Sequence, residues 1–120
     1  MMTRKAAVVD RAGAETYASW FRCLADATRL QLLKVLAEAS RPMTVGELVD
    51  AVGVGQSSVS NHVRRLADSE FVYVERAGTT TYVRINDDCL TALPAAADAI
   101  MGRERATRIP SSPVARESGS

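Results

Sequence analysis

This chain of 120 residues contains little of the chemistry on which most enzyme and metal sites depend. It has a single histidine, two cysteines, Cys23 and Cys89, and 5% aromatic residues. Neither cysteine belongs to a CxxC motif, which in a cytoplasmic protein is typical of reduced, mostly buried thiols. No phosphate-binding loop, nucleophile elbow or HExxH motif is present. The sequence therefore predicts that the protein is not an enzyme.

Long apolar runs and a strong net charge are also missing. The longest apolar run is far short of the roughly 18 residues of a membrane span, and the apolar patch at residues 6–9 is too short for a signal-peptide core. We therefore expect a cytoplasmic protein without a membrane partner. The formal net charge of only +1 means that any positive field that attracts nucleic acid must be local or must be gathered by dimerisation.

The length suits one domain with one modest core. We expect residues 1–13 to form a partly disordered N-terminal arm and residues 14–102 to form the folded domain. Residues 103–120 carry Pro110, Pro113 and several serines without helical periodicity, and this composition predicts a disordered tail.

Two apolar stripes predict the first two helices. Tyr17, Trp20 and Phe21 recur at helical spacing within a helix expected over residues 14–25, and this face must pack against the core or against a second subunit. Asp26 is a good N-cap for the next helix, expected over residues 27–38. The apolar stripe that should place this second helix in the core consists of Leu30, Leu33, Leu36 and Ala37, and Leu32 and Val35 widen it.

The central segment has the pattern of a helix-turn-helix. Thr44 and Glu47 have the spacing of a capping box, which predicts a short helix over residues 45–52 that Gly53 ends. After a tight turn, a further helix is expected over residues 56–68. Two helices joined by such a turn have the geometry that places the second helix in the major groove of DNA.

A hairpin and a last helix complete the predicted order. Residues 71–76 and 80–85 are rich in β-branched and aromatic residues and flank Gly78, which predicts a hairpin. Asn86, Asp87 or Asp88 can cap the last helix, which is expected over about residues 89–101. Pro94 lies in the tolerated first turn if this helix starts as late as Leu93, and it implies a kink if the helix starts at Cys89. The predicted fold class is therefore mainly α with a small β-hairpin, a winged helix-turn-helix in the order α-α-α-α-β-β-α.

The predicted helix at residues 56–68 has a polar face that is chemically suited to DNA. Gln and Asn side chains pair bidentately with adenine, Arg pairs with guanine, and Ser bonds to base edges or phosphates. The residues of this face are Gln56, Ser57, Ser58, Ser60, Asn61, Arg64 and Arg65. A polar surface helix alone would mean little, but the capped short helix, the glycine turn and the hairpin together favour DNA recognition.

Three segments resemble one known family. LADATRLQLL at residues 24–33 is similar to a signature of the ArsR/SmtB repressors, and QSSVSNHVRRL at residues 56–66 is similar to their recognition helix. RAGTTTY at residues 76–82 resembles their wing. The first two motifs are specific, whereas the wing alone would be a weak signal. Together the matches cover about residues 14–101.

The resemblance implies a homodimer that pairs through its first and last helices and binds an inverted-repeat operator in double-stranded DNA. The interface residues it implies are Tyr17, Trp20, Phe21, Leu93 and Ile100. It also implies that Arg76 and the wing tip at Thr79 meet the neighbouring DNA backbone or minor groove. Relatives often have a basic residue at the position of Thr79, so we expect a weaker wing contact here.

The signal that this protein detects is left open by the sequence. The lone histidine, His62, matches the usual histidine of the family's recognition helix and favours packing over metal binding, and neither familiar metal-ligand set can be assembled. The first hypothesis is a regulatory partner protein or an unidentified effector. The alternatives are a thiol switch at Cys23 or Cys89 and a metal site of a kind that is not recognisable in the sequence.

A winged helix used only for contacts between proteins is the alternative from another class. The nearly neutral charge favours it mildly, whereas retention of the polar and basic recognition face argues against it.

Overall fold

The computed structural model describes residues 9–102. The tail expected over residues 103–120 lies outside the described residues, and so does the arm as far as residue 8. None of the helices in the described part is long and apolar enough to cross a membrane. In chain order the elements are α1 (Arg11–Leu24), α2 (Ala27–Ala39), β1 (Met43–Thr44), α3 (Val45–Val52), α4 (Gln56–Asp68), β2 (Val72–Ala77), β3 (Thr80–Ile85) and α5 (Cys89–Met101).

Helix α1 begins three residues earlier than predicted because Asp10 caps it. Asp10 Oδ1 accepts a hydrogen bond from the Gly13 backbone N–H at 2.7 Å, which satisfies one of the unpaired donors of the first turn. The helix therefore starts at Arg11 rather than Ala14, and the last residues of the expected arm belong to it.

The helix-turn-helix has the predicted bounds, to within one residue at the end of α2. Thr44 Oγ1 accepts from the Glu47 backbone N–H at 3.1 Å, and the Glu47 carboxylate accepts from the Thr44 N–H at 3.0 Å. This reciprocal pair is the predicted capping box. The hydrogen bond from the Thr44 backbone is the main cause that lowers the pKa of Glu47, and a hydrogen bond from the Arg41 side chain lowers it further. Gly53 ends α3 in the left-handed region at φ 75°, which a residue with a Cβ rarely adopts.

The wing is larger than the predicted hairpin by one short strand. Strands β2 and β3 pair antiparallel around the turn at Gly78, which has φ 65°. Strand β1 pairs with the other edge of β3, with Met43 opposite Val83, so the sheet order is β1-β3-β2. The two-residue strand ties the start of α3 to the wing.

The core lies between α2, α3, α4 and the sheet. Its fully buried side chains are Leu32, Leu36, Leu48, Val59, Leu66, Val72 and Val83. The prediction for α2 was partly wrong, since Leu30 is 51% exposed while Leu32 is buried. The leucine-rich sequence of α2 supports two overlapping stripes, and the stripe with Leu32 and Leu36 is the one that belongs to the core.

Helix α5 runs over the full predicted length in spite of an internal proline. Pro94 lies in its second turn and has no N–H, so the helix lacks one backbone hydrogen bond there. Of the residues considered as its cap, Asp88 makes no side-chain capping bond. Instead, Asn86 Oδ1 accepts from the Asp88 N–H at 3.0 Å and shapes the turn that leads into the helix.

We predict that Thr44→Ala lowers the free energy of unfolding by about 1 kcal/mol, because it removes the side-chain half of the capping box. Chemical denaturation followed by circular dichroism measures this change. Thr44→Ser keeps the acceptor and should retain most of the stability, while Thr16→Ala on the exposed side of α1 serves as a control. Equal stability of the alanine and serine variants would contradict a capping role.

Candidate nucleic-acid interface

Helix α4 is fixed to the domain by one apolar face and leaves its polar face outward. Val59, Val63 and Leu66 are buried against α2 and α3. The seven polar and basic residues predicted to face DNA lie off this stripe. Ser58 is half-buried, and the exposed ones are Gln56, Ser57, Ser60, Asn61, Arg64 and Arg65. The structure therefore brings nearly all of the predicted recognition residues together on one accessible surface.

Among residues 9–102, no side chain caps the first N–H donors of α4. Gly55 occupies the N-cap position and makes no side-chain capping bond. The first-turn amides of a helix have no acceptor within the helix itself, and they carry the positive end of the helix dipole. An anion such as a DNA phosphate is the natural acceptor at such an end.

Within the described residues, the basic side chains of this surface, like Arg22 on α1, take part in no ion pair, whereas the other basic side chains do. Among residues 9–102, Arg64, Arg65 and Arg76 are exposed and take part in no ion pair. By contrast, the basic residues that are paired with carboxylates are Arg11, Arg29, Lys34, Arg41 and Arg84. Nearly neutral overall charge is thus compatible with free positive charge on α4 and the wing.

A groove of about 600 Å³ runs between α4, the start of α3 and the wing. Gln56, Ser60 and Arg64 line its helical wall, and Thr79 lies at the exposed wing tip. Thr80 and Thr81 also line the groove, although the sequence did not single them out. In the sequence, only the alternation of residues along this strand separates its two faces. Alternation does not show which of the two faces borders the helix.

The lone histidine faces inward. His62 Nδ1 lies 3.9 Å from Asp26 Oδ1, and Asp26 also caps α2 by accepting from the Arg29 backbone N–H at 3.1 Å. That backbone hydrogen bond is the main cause that lowers the pKa of Asp26, with smaller contributions from the charges of His62 and Arg29. His62 therefore connects α4 to the start of α2, which fits the packing role predicted for it.

Both cysteines are buried. Cys23 Sγ donates to the Arg65 carbonyl oxygen at 3.6 Å. Burial raises the pKa of the Cys89 thiol, and the nearby Asp87 and Asp88 carboxylates raise it further. Since the thiolate is the reactive form, these surroundings disfavour the thiol switch. Among the described residues, no group of three or more His, Cys, Asp or Glu side chains could hold a metal ion.

The residues predicted for the dimer interface divide into two sets. Tyr17, Phe21 and Ile100 line an apolar groove of about 580 Å³ between α1 and α5, where Phe21 is 43% and Ile100 is 52% exposed. Trp20 and Leu93 are partly buried and pack against the core of their own chain, and their part in the interface stays a prediction. The helical spacing of Tyr17, Trp20 and Phe21 does not show which of them packs on the core and which faces the groove.

Three comparisons relate this geometry to known proteins. The profile described as "Bacterial regulatory protein, arsR family" matches residues 26–74. The chain is 41% identical over 86 residues to the HTH-type transcriptional regulator KmtR of Mycobacterium tuberculosis, covering 72% of this chain and 63% of that protein. It is 36% identical over 101 residues to the probable mercury resistance operon repressor of Streptomyces lividans, covering 80% and 79%.

A solved structure agrees with both the fold and its connectivity. The homodimeric winged helix-turn-helix DNA-binding domain of Mb0332 from Mycobacterium bovis superimposes with a TM-score of 0.60 at 28% identity, covering 74% of this chain and 86% of that domain. The predicted winged helix-turn-helix is thereby confirmed. On the combined evidence of the winged helix-turn-helix fold, the matching profile and these relatives, the chain belongs to the ArsR family of bacterial regulatory proteins.

Proposed function

We propose that this protein is a homodimeric transcriptional repressor that reads an inverted-repeat operator in double-stranded DNA through α4. Its family consists of DNA-binding regulators rather than enzymes. The observation that carries the finer proposal is the set of exposed, unpaired arginines on α4 and the wing, Arg64, Arg65 and Arg76. Because the target is a bacterial operator, we also propose a cytoplasmic location.

Recognition of bases is assigned to the exposed face of α4. Gln56 and Asn61 can form bidentate hydrogen bonds with adenine, and Arg64 can do so with guanine. The free amides at the start of α4 and the hydroxyls of Ser57 and Ser58 suit phosphate oxygens. Such phosphate contacts fix the register of the helix in the groove, whereas the base contacts supply sequence specificity.

The wing is proposed to contact the backbone beside the recognition helix. Arg76 supplies positive charge on β2, and the tip at Thr79 offers a hydroxyl instead of a cation. A hydroxyl donates a hydrogen bond to a phosphate but releases no counterion. We therefore propose a wing contact that adds little to the salt dependence of operator binding.

The homodimer is proposed to form through the apolar groove between α1 and α5. Residues Tyr17, Phe21 and Ile100 leave apolar surface exposed there, and a second copy would remove it from water. Two copies related by a two-fold axis match an operator of two inverted half-sites. Trp20 and Leu93 would support this face from behind.

The signal is proposed to come from a partner protein or from an effector. One relative carries the name of a mercury resistance operon repressor, but residues 9–102 contain no cluster of three metal-ligating side chains. A metal site or a thiol switch acting alone remains the second hypothesis. The buried Cys23 and Cys89 argue against rapid oxidation.

A protein-binding winged helix is the competing class. Such a module has no need for unpaired arginines on α4, and contact with a protein would not depend steeply on salt. Operator affinity that falls linearly in log–log form with salt concentration would favour the repressor.

The experiment is selection of bound duplexes from a random pool by the full chain. We expect recovery of an inverted repeat whose half-sites lie about one helical turn apart. Recovery of no enriched sequence, or of single half-sites bound by monomers, would contradict the proposal.

A further inference from the structure

A cavity of about 210 Å³ is separate from the groove beside α4 and shares none of its lining residues. It is formed where α1, the loop after α4 and the start of α5 meet. Trp20, Phe71 and Leu93 give it an apolar wall with two aromatic rings. Its remaining lining residues are Ser69, Glu70, Asn86, Asp88, Cys89 and Ala92.

One buried thiol, that of Cys89, lines this cavity. Cys89 is only 8% exposed, and within residues 9–102 its thiol forms no hydrogen bond with another residue. A buried free thiol packs as a small hydrophobic group with only a weak S–H donor. Because the thiol is held in its neutral form by burial, it behaves as a polarisable wall and not as a metal ligand.

Two carboxylates lie at the rim of the cavity, and neither is paired with a basic side chain of the described residues. Neither Glu70 nor Asp88 takes part in an ion pair with any described residue. Glu70 has a positive φ of 64°, and its carbonyl oxygen accepts from Asn86 Nδ2 at 2.8 Å. The backbone that carries this carboxylate is therefore fixed across the rim.

We propose that this cavity binds a small organic cation whose ammonium group lies between Glu70 and Asp88 and whose apolar body packs on Trp20 and Phe71. Aromatic faces attract ammonium groups, and the rim carboxylates complement their charge. The volume is below the roughly 300–1,000 Å³ typical of sites for drug-sized ligands, which limits the ligand to on the order of ten non-hydrogen atoms. A metal ion is disfavoured because no three ligating side chains converge in the described residues.

The position of the cavity makes it a site for an effector, an inference that rests on the proposed function. The loop Ser69–Phe71 directly follows α4 and is tied to it, since the Phe71 N–H donates to the Leu66 carbonyl at 2.9 Å. Trp20 belongs to α1 and Leu93 to α5, the helices of the proposed dimer face. A ligand here touches both sets of elements, so its binding energy can differ between DNA-competent and other arrangements.

The test uses the full chain and its intrinsic fluorescence, because Trp20 is its only tryptophan. Benzyltrimethylammonium is the probe, with 3-phenylpropionate as an anion of similar size and benzyl alcohol as a neutral aromatic. We expect saturable quenching or a spectral shift with the ammonium, confirmed by titration calorimetry, and at least tenfold weaker binding of the other two. Absence of saturable binding of the ammonium by both methods, or equal binding of the anion, would overturn the proposal.

Variants locate the site. The double variant Glu70→Gln and Asp88→Asn should bind the ammonium at least fivefold more weakly while its thermal unfolding remains cooperative. Asp50→Asn removes an exposed carboxylate that lies away from the cavity and should leave binding unchanged. Unchanged affinity in the double variant would contradict the assignment.

The effect of the ligand on operator binding is measured separately from ligand binding itself. Saturating benzyltrimethylammonium should change operator affinity at least threefold, and operator DNA should change the affinity for the ammonium by the same factor. An operator affinity that does not respond would overturn the effector role. Failure to bind any DNA would instead contradict the proposed function and leave the fluorescence result intact.

Discussion

Replacing Arg64 by alanine should weaken operator binding by about 1–3 kcal/mol, which is a factor of about 5 to 150 in affinity. The side chain is exposed, makes no ion pair among the described residues and lines the groove beside Gln56 and Ser60. Its guanidinium therefore has no protein partner to give up when it meets a base or a phosphate. Fluorescence anisotropy with a labelled operator at several salt concentrations measures the loss.

Two further variants show what Arg64 contacts. Arg64→Lys keeps the charge but loses the planar fork, so it should bind nearly as well if the partner is a phosphate and poorly if the partner is guanine. Arg22→Ala removes another exposed, unpaired arginine, which lies on α1 away from the groove, and should change little. If Arg64→Ala and Ser57→Ala together left binding untouched, α4 would not be the element that reads DNA.

Replacing Phe21 by glutamate should convert the dimer to a monomer and lower operator affinity by about 100-fold or more, because linked half-sites gain roughly 10²–10⁴ from effective concentration. Phe21 is almost half exposed on a single chain and faces the same groove as Ile100. A carboxylate there would have to be buried without a partner in the dimer, which is strongly unfavourable. Sedimentation equilibrium measures the change in assembly.

Leu30→Glu is the matched control for this experiment. Leu30 is a comparably exposed apolar residue, but it lies on α2 outside the groove between α1 and α5. The control should remain a dimer with unchanged operator affinity. A Phe21→Glu protein that stayed dimeric at micromolar concentration would contradict the proposed interface.

The parts of the fold that could be predicted are those that depend on interactions between residues close together in the sequence. The capping box of Thr44 and Glu47 and the left-handed Gly53 act over a few residues, so their sequence spacing alone defines α3. Gly78 identifies the turn of the hairpin in the same way. The polar face of α4 followed from the position of Val59 and Val63 on the opposite side.

The parts that could not be predicted depend on contacts between distant residues. Strand β1 exists only because Met43 meets Val83 across the sheet, and two residues are too few to show a periodicity. Leu30 and Leu32 are equally apolar, and only packing in the folded core decides which of them is buried. In the same way, spacing could not tell that Trp20 faces the core while Phe21 faces outward.

The location of unpaired positive charge also could not be predicted from the sequence. A net charge of +1 gives no indication of which arginines are neutralised, since that depends on which carboxylates fold next to them. Glu47 pairs with Arg41, and Glu75 lies 3.7 Å from Arg84, whereas no acidic residue in the described part pairs with Arg64. A nearly neutral chain can therefore still present a locally positive surface to DNA.

The most direct test of the central claim is site-specific photocrosslinking to the operator. A benzophenone side chain introduced at Ser60, on the outward face of α4, should crosslink to the bases of each half-site, and one introduced at Lys34, on the exposed face of α2, should not. Efficient crosslinking at residue 34 with none at residue 60 would mean that the protein meets DNA through another surface.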